Sequence, residues 1–107
     1  CPNSVIEALA SGLPVLGFDT GALNELVSED CAAVVEFRGS VWELQTPPTA
    51  ELEKAAERVV RPLAWYSRAA RTLAEERYSL EGMYRHYLAV FESVSNPAQR
   101  SGTTTVD

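Results

Sequence analysis

The sequence predicts an α/β fold, and three observations carry that prediction. Residues 3–25 pack a short helix, an apolar strand, a glycine-bearing loop and the start of a second helix into very little chain. Residues 31–37 supply a second apolar run of strand length, and from Thr49 onward apolar residues recur at helical spacing. Helix, strand, loop, helix is the grammar of a doubly wound sheet, here with short parallel strands and a helical C-terminal segment.

Each element has its own local signals. Asn3 and Ser4 are good N-cap residues, Val5, Ile6 and Leu9 form a short apolar stripe, and Gly12 before Leu13-Pro14 stops the first helix. Residues 14–18 are continuously apolar and read as a strand. Asp19-Thr20-Gly21 is the turn into a second helix over 22–27. The run 31–37 is apolar enough for a parallel sheet. Residues 38–48, with Gly39, Trp42 and the Pro47-Pro48 pair, connect across the sheet edge and leave room for a short strand over 41–44. Thr49 is expected to cap a helix bearing Leu52, Ala55, Ala56, Val59 and Val60, which Pro62 closes. Leu63, Tyr66, Ala69, Ala70 and Leu73 continue the period in a helix ending near Tyr78. Ser79 caps a final helix with Met83, Tyr84, Tyr87, Leu88 and Phe91, despite the cost of Gly82. Residues 1–95 form the expected folded part, and 96–107, rich in Ser, Gly and Thr, read as a disordered tail.

One domain is the natural count for 107 residues, and such a chain buries a core without disulfides or metal. Two or three short strands are few for a parallel sheet, so the architecture is expected to be incomplete on its N-terminal side. The chain begins at Cys1 without an initiator Met, a leader pattern is absent, and no apolar stretch approaches the ~20 residues that span a bilayer. Cys1 and Cys31 lack metal-ligand spacing and read as reduced thiols of a cytoplasmic protein, with no metal expected.

The net charge of −6 is unevenly placed. Residues 1–37 contain no Lys or Arg and carry Glu7, Asp19, Glu25, Glu29, Asp30 and Glu36, whereas nine bases balance nine acids thereafter. An acidic chain without a basic stripe argues against nucleic acid as a partner.

Ser4-Val-Ile-Glu7 admits two readings. It matches a capping box, in which both side chains satisfy backbone N–H groups at a helix start. The same helix start offers N–H donors and the positive end of a dipole to a phosphate, with the Glu7 carboxylate one turn in and able to accept hydrogen bonds from sugar hydroxyls. Residues 19–22 then lie at the carboxyl end of the strand, where open α/β sheets bind ligands. His86, between Arg85 and Tyr87, is remote from this motif and reads as structural. Trp42, Trp65, Tyr66, Tyr78, Tyr84 and Tyr87 are expected to serve core and helix packing. No hydrolase carboxylate pair, HExxH, GxSxG or P-loop pattern occurs.

Cys-Pro-Asn-Ser-Val-Ile-Glu-Ala-Leu-Ala-Ser-Gly-Leu-Pro-Val-Leu-Gly at 1–17, followed by Thr-Gly-Ala-Leu-Asn-Glu-Leu-Val at 20–27, resembles the donor-binding segment of the retaining glycosyltransferases of family 4, also called glycosyl transferases group 1. Residues 77–92 are similar to the closing helical segment of that family. The resemblance implies the end of the C-terminal domain of a GT-B fold, a partial Rossmann-like domain. It implies a hexosyltransferase-like activity that passes a sugar from a nucleotide-sugar donor to an acceptor. Glu7 matches the second of two acidic residues separated by seven others, the one that binds ribose hydroxyls; the first falls two positions before Cys1. Asn3, Ser4 and Val5 match the helix start whose backbone approaches the donor phosphates, and Thr20 and Gly21 match the small-residue loop. Ala22 departs from the family pattern, where a second glycine is common, at a place that sets how closely the loop meets its ligand. Glu25 matches a recurrent acidic position, for which a helix-start electrostatic role is equally suited.

No catalytic residue, metal or cofactor is assigned within the chain. A helix start offers a diphosphate the equivalent of about half a positive charge, so compensating bases are expected upstream, with the N-terminal acceptor domain. The 107 residues alone are therefore expected to bind donor poorly and to catalyse nothing. Membrane contact is expected only through the missing part, leaving a cytoplasmic or peripheral protein. The alternatives are a non-catalytic nucleotide- or partner-binding module, and a GT-B-related epimerase or phosphorylase.

Overall fold

A computed structural model describes residues 2–95 and gives the order α1 (Asn3–Ala10), β1 (Val15–Phe18), α2 (Leu23–Leu26), β2 (Ala32–Val35), α3 (Thr49–Val60), α4 (Leu63–Arg77) and α5 (Leu80–Ser95). Cys1 and the expected tail, 96–107, lie outside the described residues. The chain is mixed α/β. β1 and β2 pair in parallel, with Val15 opposite Ala32 and Phe18 opposite Val35, and α2 makes the crossover between them.

Strand alternation sends the two faces of this sheet into two small cores. Ala32 and Val34 join Leu9 of α1 and Ala70 and Ala74 of α4, together with the fully buried Cys31. Ala33 and Val35 meet Ala55 and Val59 of α3 on the other face. Small residues on α3 let it come close to strands only four residues long, and those on α4 let it pack against α1. The Cys31 thiol donates to the Ser28 carbonyl at 3.4 Å and acts as a packed structural group.

The ends of α1 are set by different means. Gly12 takes a left-handed φ of +70°. Its N–H donates to Leu9 while the Leu13 N–H donates to Ala8, both at 2.9 Å, which together close the helix in a Schellman motif. At the other end the helix starts two residues earlier than a capping box requires. Pro2 is the N-cap, and no side chain caps the helix. Ser4 thus falls inside the first turn and Glu7 beyond it, which corrects the capping-box reading.

Further boundaries differ in detail. β2 is shorter than 31–37 at both ends, and the room left for a strand over 41–44 holds instead a short 3₁₀ helix, Val41–Glu43. Thr49 is the first helical residue of α3 after an N-cap at Pro48, and Pro62 is the N-cap of α4. Ser79 does cap α5, its Oγ accepting the Gly82 N–H at 3.1 Å.

The expected packing role of the aromatic residues holds for Tyr66 and Tyr78, which lie against the two cores. It fails elsewhere: Trp42 is 92% exposed, and Trp65, Tyr84 and Tyr87 are also exposed. The reason for the last two is the placement of α5, none of whose residues is buried. The longest dimension is 55 Å and the radius of gyration 18.9 Å, against about 13 Å for a compact chain of this length.

Candidate functional site

α1 leads into β1 through the tight turn at Gly12, so helix and strand run in opposite senses. The start of α1 is therefore carried to the carboxyl end of β1, where Thr20 and Gly21 follow the strand directly. α1 also touches α2, the helix that begins just after that loop. Of the expected site residues, Asn3, Ser4 and Val5 thus start α1 with Glu7 a turn further in, and Thr20 and Gly21 form the loop at the carboxyl end of β1. This is the end at which such sheets take ligands.

Their exposure divides them. Asn3, Ser4, Glu7, Thr20 and Gly21 are exposed, whereas Val5 is half-buried against the core shared by α1 and α4. The Val5 N–H donates to the Pro2 carbonyl at 3.0 Å. Val5 therefore anchors the helix start, and the first-turn N–H groups without an intrahelical partner among the described residues are those of Asn3 and Ser4. Glu7 has no ion-pair partner among the described residues. Its backbone carbonyl accepts from the Ser11 hydroxyl at 2.9 Å, so that residue 7 is held by its main chain while its carboxylate faces water.

The loop is shaped by two residues. Gly21 has φ +62°, and a side chain built there would meet nothing within 4 Å, so glycine serves the backbone angle and leaves the loop's outer side open. Asp19, read from the sequence as a turn residue at the carboxyl end of the strand, accepts the Phe37 N–H at 2.6 Å and ties the start of this loop to the end of β2. Nothing local in the sequence signals that bond, because its partners stand 18 residues apart.

Electrostatics favour the far end of α1. Arg71 of α4 donates to the Ala10 carbonyl and to Glu75 at 2.6 Å, placing a cation at the negative end of the α1 dipole. Arg77 reaches the Glu25 carbonyl at 3.4 Å and stacks 5.6 Å from the Tyr78 ring. Arg38 pairs with Glu36 at 2.9 Å; that hydrogen bond and the adjacent carboxylate charge raise its guanidinium above the ordinary range, with no change in its charge at any working pH. Arg71 and Arg77 therefore link α4 to α1 and α2, and none of these three hydrogen-bonds to the start of α1.

Among the described residues no three His, Cys, Asp or Glu side chains converge as a metal site. No described helix is long and apolar enough to cross a membrane. His86, read from the sequence as remote from the motif, lines a groove together with Ile6 of α1 and with Leu26, Arg77 and Tyr87, so the fold brings it beside the helix that carries the motif. Comparison of the chain with protein-family models, curated proteins and solved structures found no match.

Proposed function

We propose that this chain is the donor-binding part of a retaining glycosyltransferase, the end of the C-terminal domain of a GT-B fold. The reading rests on the motif at 1–27 and on one observation above all. The Glu7 carboxylate is exposed and has no capping role. In this reading the Glu7 carboxylate accepts hydrogen bonds from the ribose hydroxyls of a nucleotide sugar. The N–H groups of Asn3 and Ser4 and the Thr20–Gly21 loop face its diphosphate. The bond from the anomeric carbon to the diphosphate oxygen breaks, the acceptor oxygen bonds to the same face of that carbon, and the acceptor proton passes to the leaving diphosphate. Electrostatic stabilisation of that leaving group is the main catalytic demand. Bases beyond these residues supply it, together with an acceptor domain in the same protein.

A second reading is a non-catalytic module whose sheet a partner completes. It draws on the outer edge of β1, which has no neighbouring strand among the described residues and beside which Leu13 and Leu16 are exposed. Calorimetric titration of nucleotide sugars into the protein expressed from its native gene separates the two. Glu7→Gln is expected to weaken donor binding about tenfold, or 1.4 kcal/mol, without a loss of melting temperature. Unchanged binding overturns the assignment of Glu7, and absence of any nucleotide-sugar binding favours the second reading.

A further inference from the structure

We propose that Asp19 is a positioning residue, which holds the Thr20–Gly21 loop where it meets the diphosphate of the donor, a role that rests on the donor-site reading above. Asp19 itself touches no part of the ligand in this role. It acts through the loop that follows it.

The loop is fastened at both ends and open between them. At its entry the Asp19 N–H donates to the Val35 carbonyl at 2.9 Å, and the Asp19 carboxylate accepts the Phe37 N–H at 2.6 Å. Main chain and side chain of one residue thus grip two positions of the neighbouring segment. Phe37 is a fixed point, since its ring meets Phe18 edge to face at 5.8 Å and its carbonyl accepts the Gly39 N–H at 2.9 Å. At the exit Leu23 closes over Gly17, where a side chain would come within 2.8 Å of Leu23 Cδ2. Between these ends Gly21 has open space around it, and among the described residues the N–H groups of Thr20 and Gly21 have no hydrogen-bond partner. Two free donors on an exposed loop take their position from its ends.

Charge makes that position matter. No Lys or Arg occurs before Arg38, so the loop meets an anion with placed N–H groups rather than with a cation. Such bonds weaken steeply as their angle departs from linear, and a site of this kind needs its donors within about 0.5 Å of the productive place. The Asp19 carboxylate stands one residue before these donors and, if free to turn, opposes a diphosphate. Its bond to Phe37 directs that charge toward the segment that leaves β2. A hydrogen bond to an ionised acceptor is also roughly twice as strong as one between neutral groups. One contact therefore fixes the loop and holds the carboxylate aside.

Calorimetric titration of the protein expressed from its native gene, with a panel of ribonucleosides and of their 5′-diphosphates, tests the proposal at a temperature where circular dichroism shows each variant folded. For the base that binds, Asp19→Ala is expected to weaken the diphosphate about tenfold and the nucleoside by less than about twofold. Asp19→Asn, which keeps an acceptor oxygen, is expected to recover most of the loss. Glu7→Gln is expected to weaken both ligands by the same factor, because the ribose is common to them. Asp19→Glu keeps the charge and displaces the acceptor by one methylene; it carries the same expectation as Asp19→Ala and replaces it if that variant does not fold. Equal losses for nucleoside and diphosphate, an unchanged diphosphate affinity, or an Asn variant as weak as the Ala variant each overturn the role of Asp19 while the donor reading stands. A parent protein that binds none of the panel overturns the donor reading, and this role with it.

Discussion

The carboxylate of Asp19 accepts the backbone N–H of Phe37 at 2.6 Å and so joins the turn after β1 to the residues that leave β2. Two strands of four residues share few ladder bonds, and this side-chain bond extends their pairing past the last one. Asp19→Ala is expected to lower stability by about 1 to 2 kcal/mol, and Asp19→Asn, which keeps an acceptor oxygen, by less than half as much. Urea unfolding of both variants checks this. Equal losses for the two show that the acceptor contributes nothing.

Gly12 and Gly21 share a left-handed backbone and differ in surroundings. A side chain at position 12 meets Ser67 Oγ of α4 at 3.1 Å, whereas position 21 is open. Replacement of either by Ala is expected to cost about 1 kcal/mol through φ alone, with a further loss at Gly12 as α1 is pushed from α4. Thermal melts that rank Gly21→Ala as the more damaging contradict the close approach of α1 and α4.

Tyr78 closes α4, and its hydroxyl donates to the Leu26 carbonyl at 2.6 Å. Tyr78→Phe leaves that carbonyl unpaired in a half-buried place and is expected to cost about 1 to 1.5 kcal/mol. The loss is read from denaturant midpoints at constant m-value.

Glu7→Gln is expected to change stability by less than about 0.5 kcal/mol, as for other exposed positions that make no cap. Leu9→Ala, two positions on and fully buried, is expected to cost about 2 to 5 kcal/mol. A pair of melts on one preparation tests the contrast, and a large loss for Glu7→Gln restores the capping role that the helix start does not show.

What was legible in the chain was local. The stop at Gly12, the cap at Ser79 and the periods of α3, α4 and α5 are written within a few residues of where they act. The start of α1 was misread because Ser-x-x-Glu has the same appearance whichever residue begins the helix, and Pro2 takes the cap. Residues 41–44 have strand-like side chains, yet Trp42 and Leu44 are each 92% exposed and, among the described residues, neither strand of the sheet pairs with them. The aromatic stripe of α5 was read as packing because periodicity reports that a face is apolar and not what it meets. Asp19 with Phe37, Tyr78 with Leu26 and Arg71 with Ala10 are joined by folding alone, at separations no sequence pattern spans.

The last of these pairs bears on how the protein is made. Ala10 and Arg71 are 61 residues apart, and Leu9 has its neighbours Ala70 and Ala74 on the same distant helix. A ribosome adding ~5 to 20 residues per second leaves α1 without its partner for on the order of ten seconds. During that interval the first core exists only as loose apolar segments near the exit tunnel. Arrival of α4 is thus the event that turns the nascent segment into a fold, and chains cut short before Ala70 are the ones that quality-control proteases will find open.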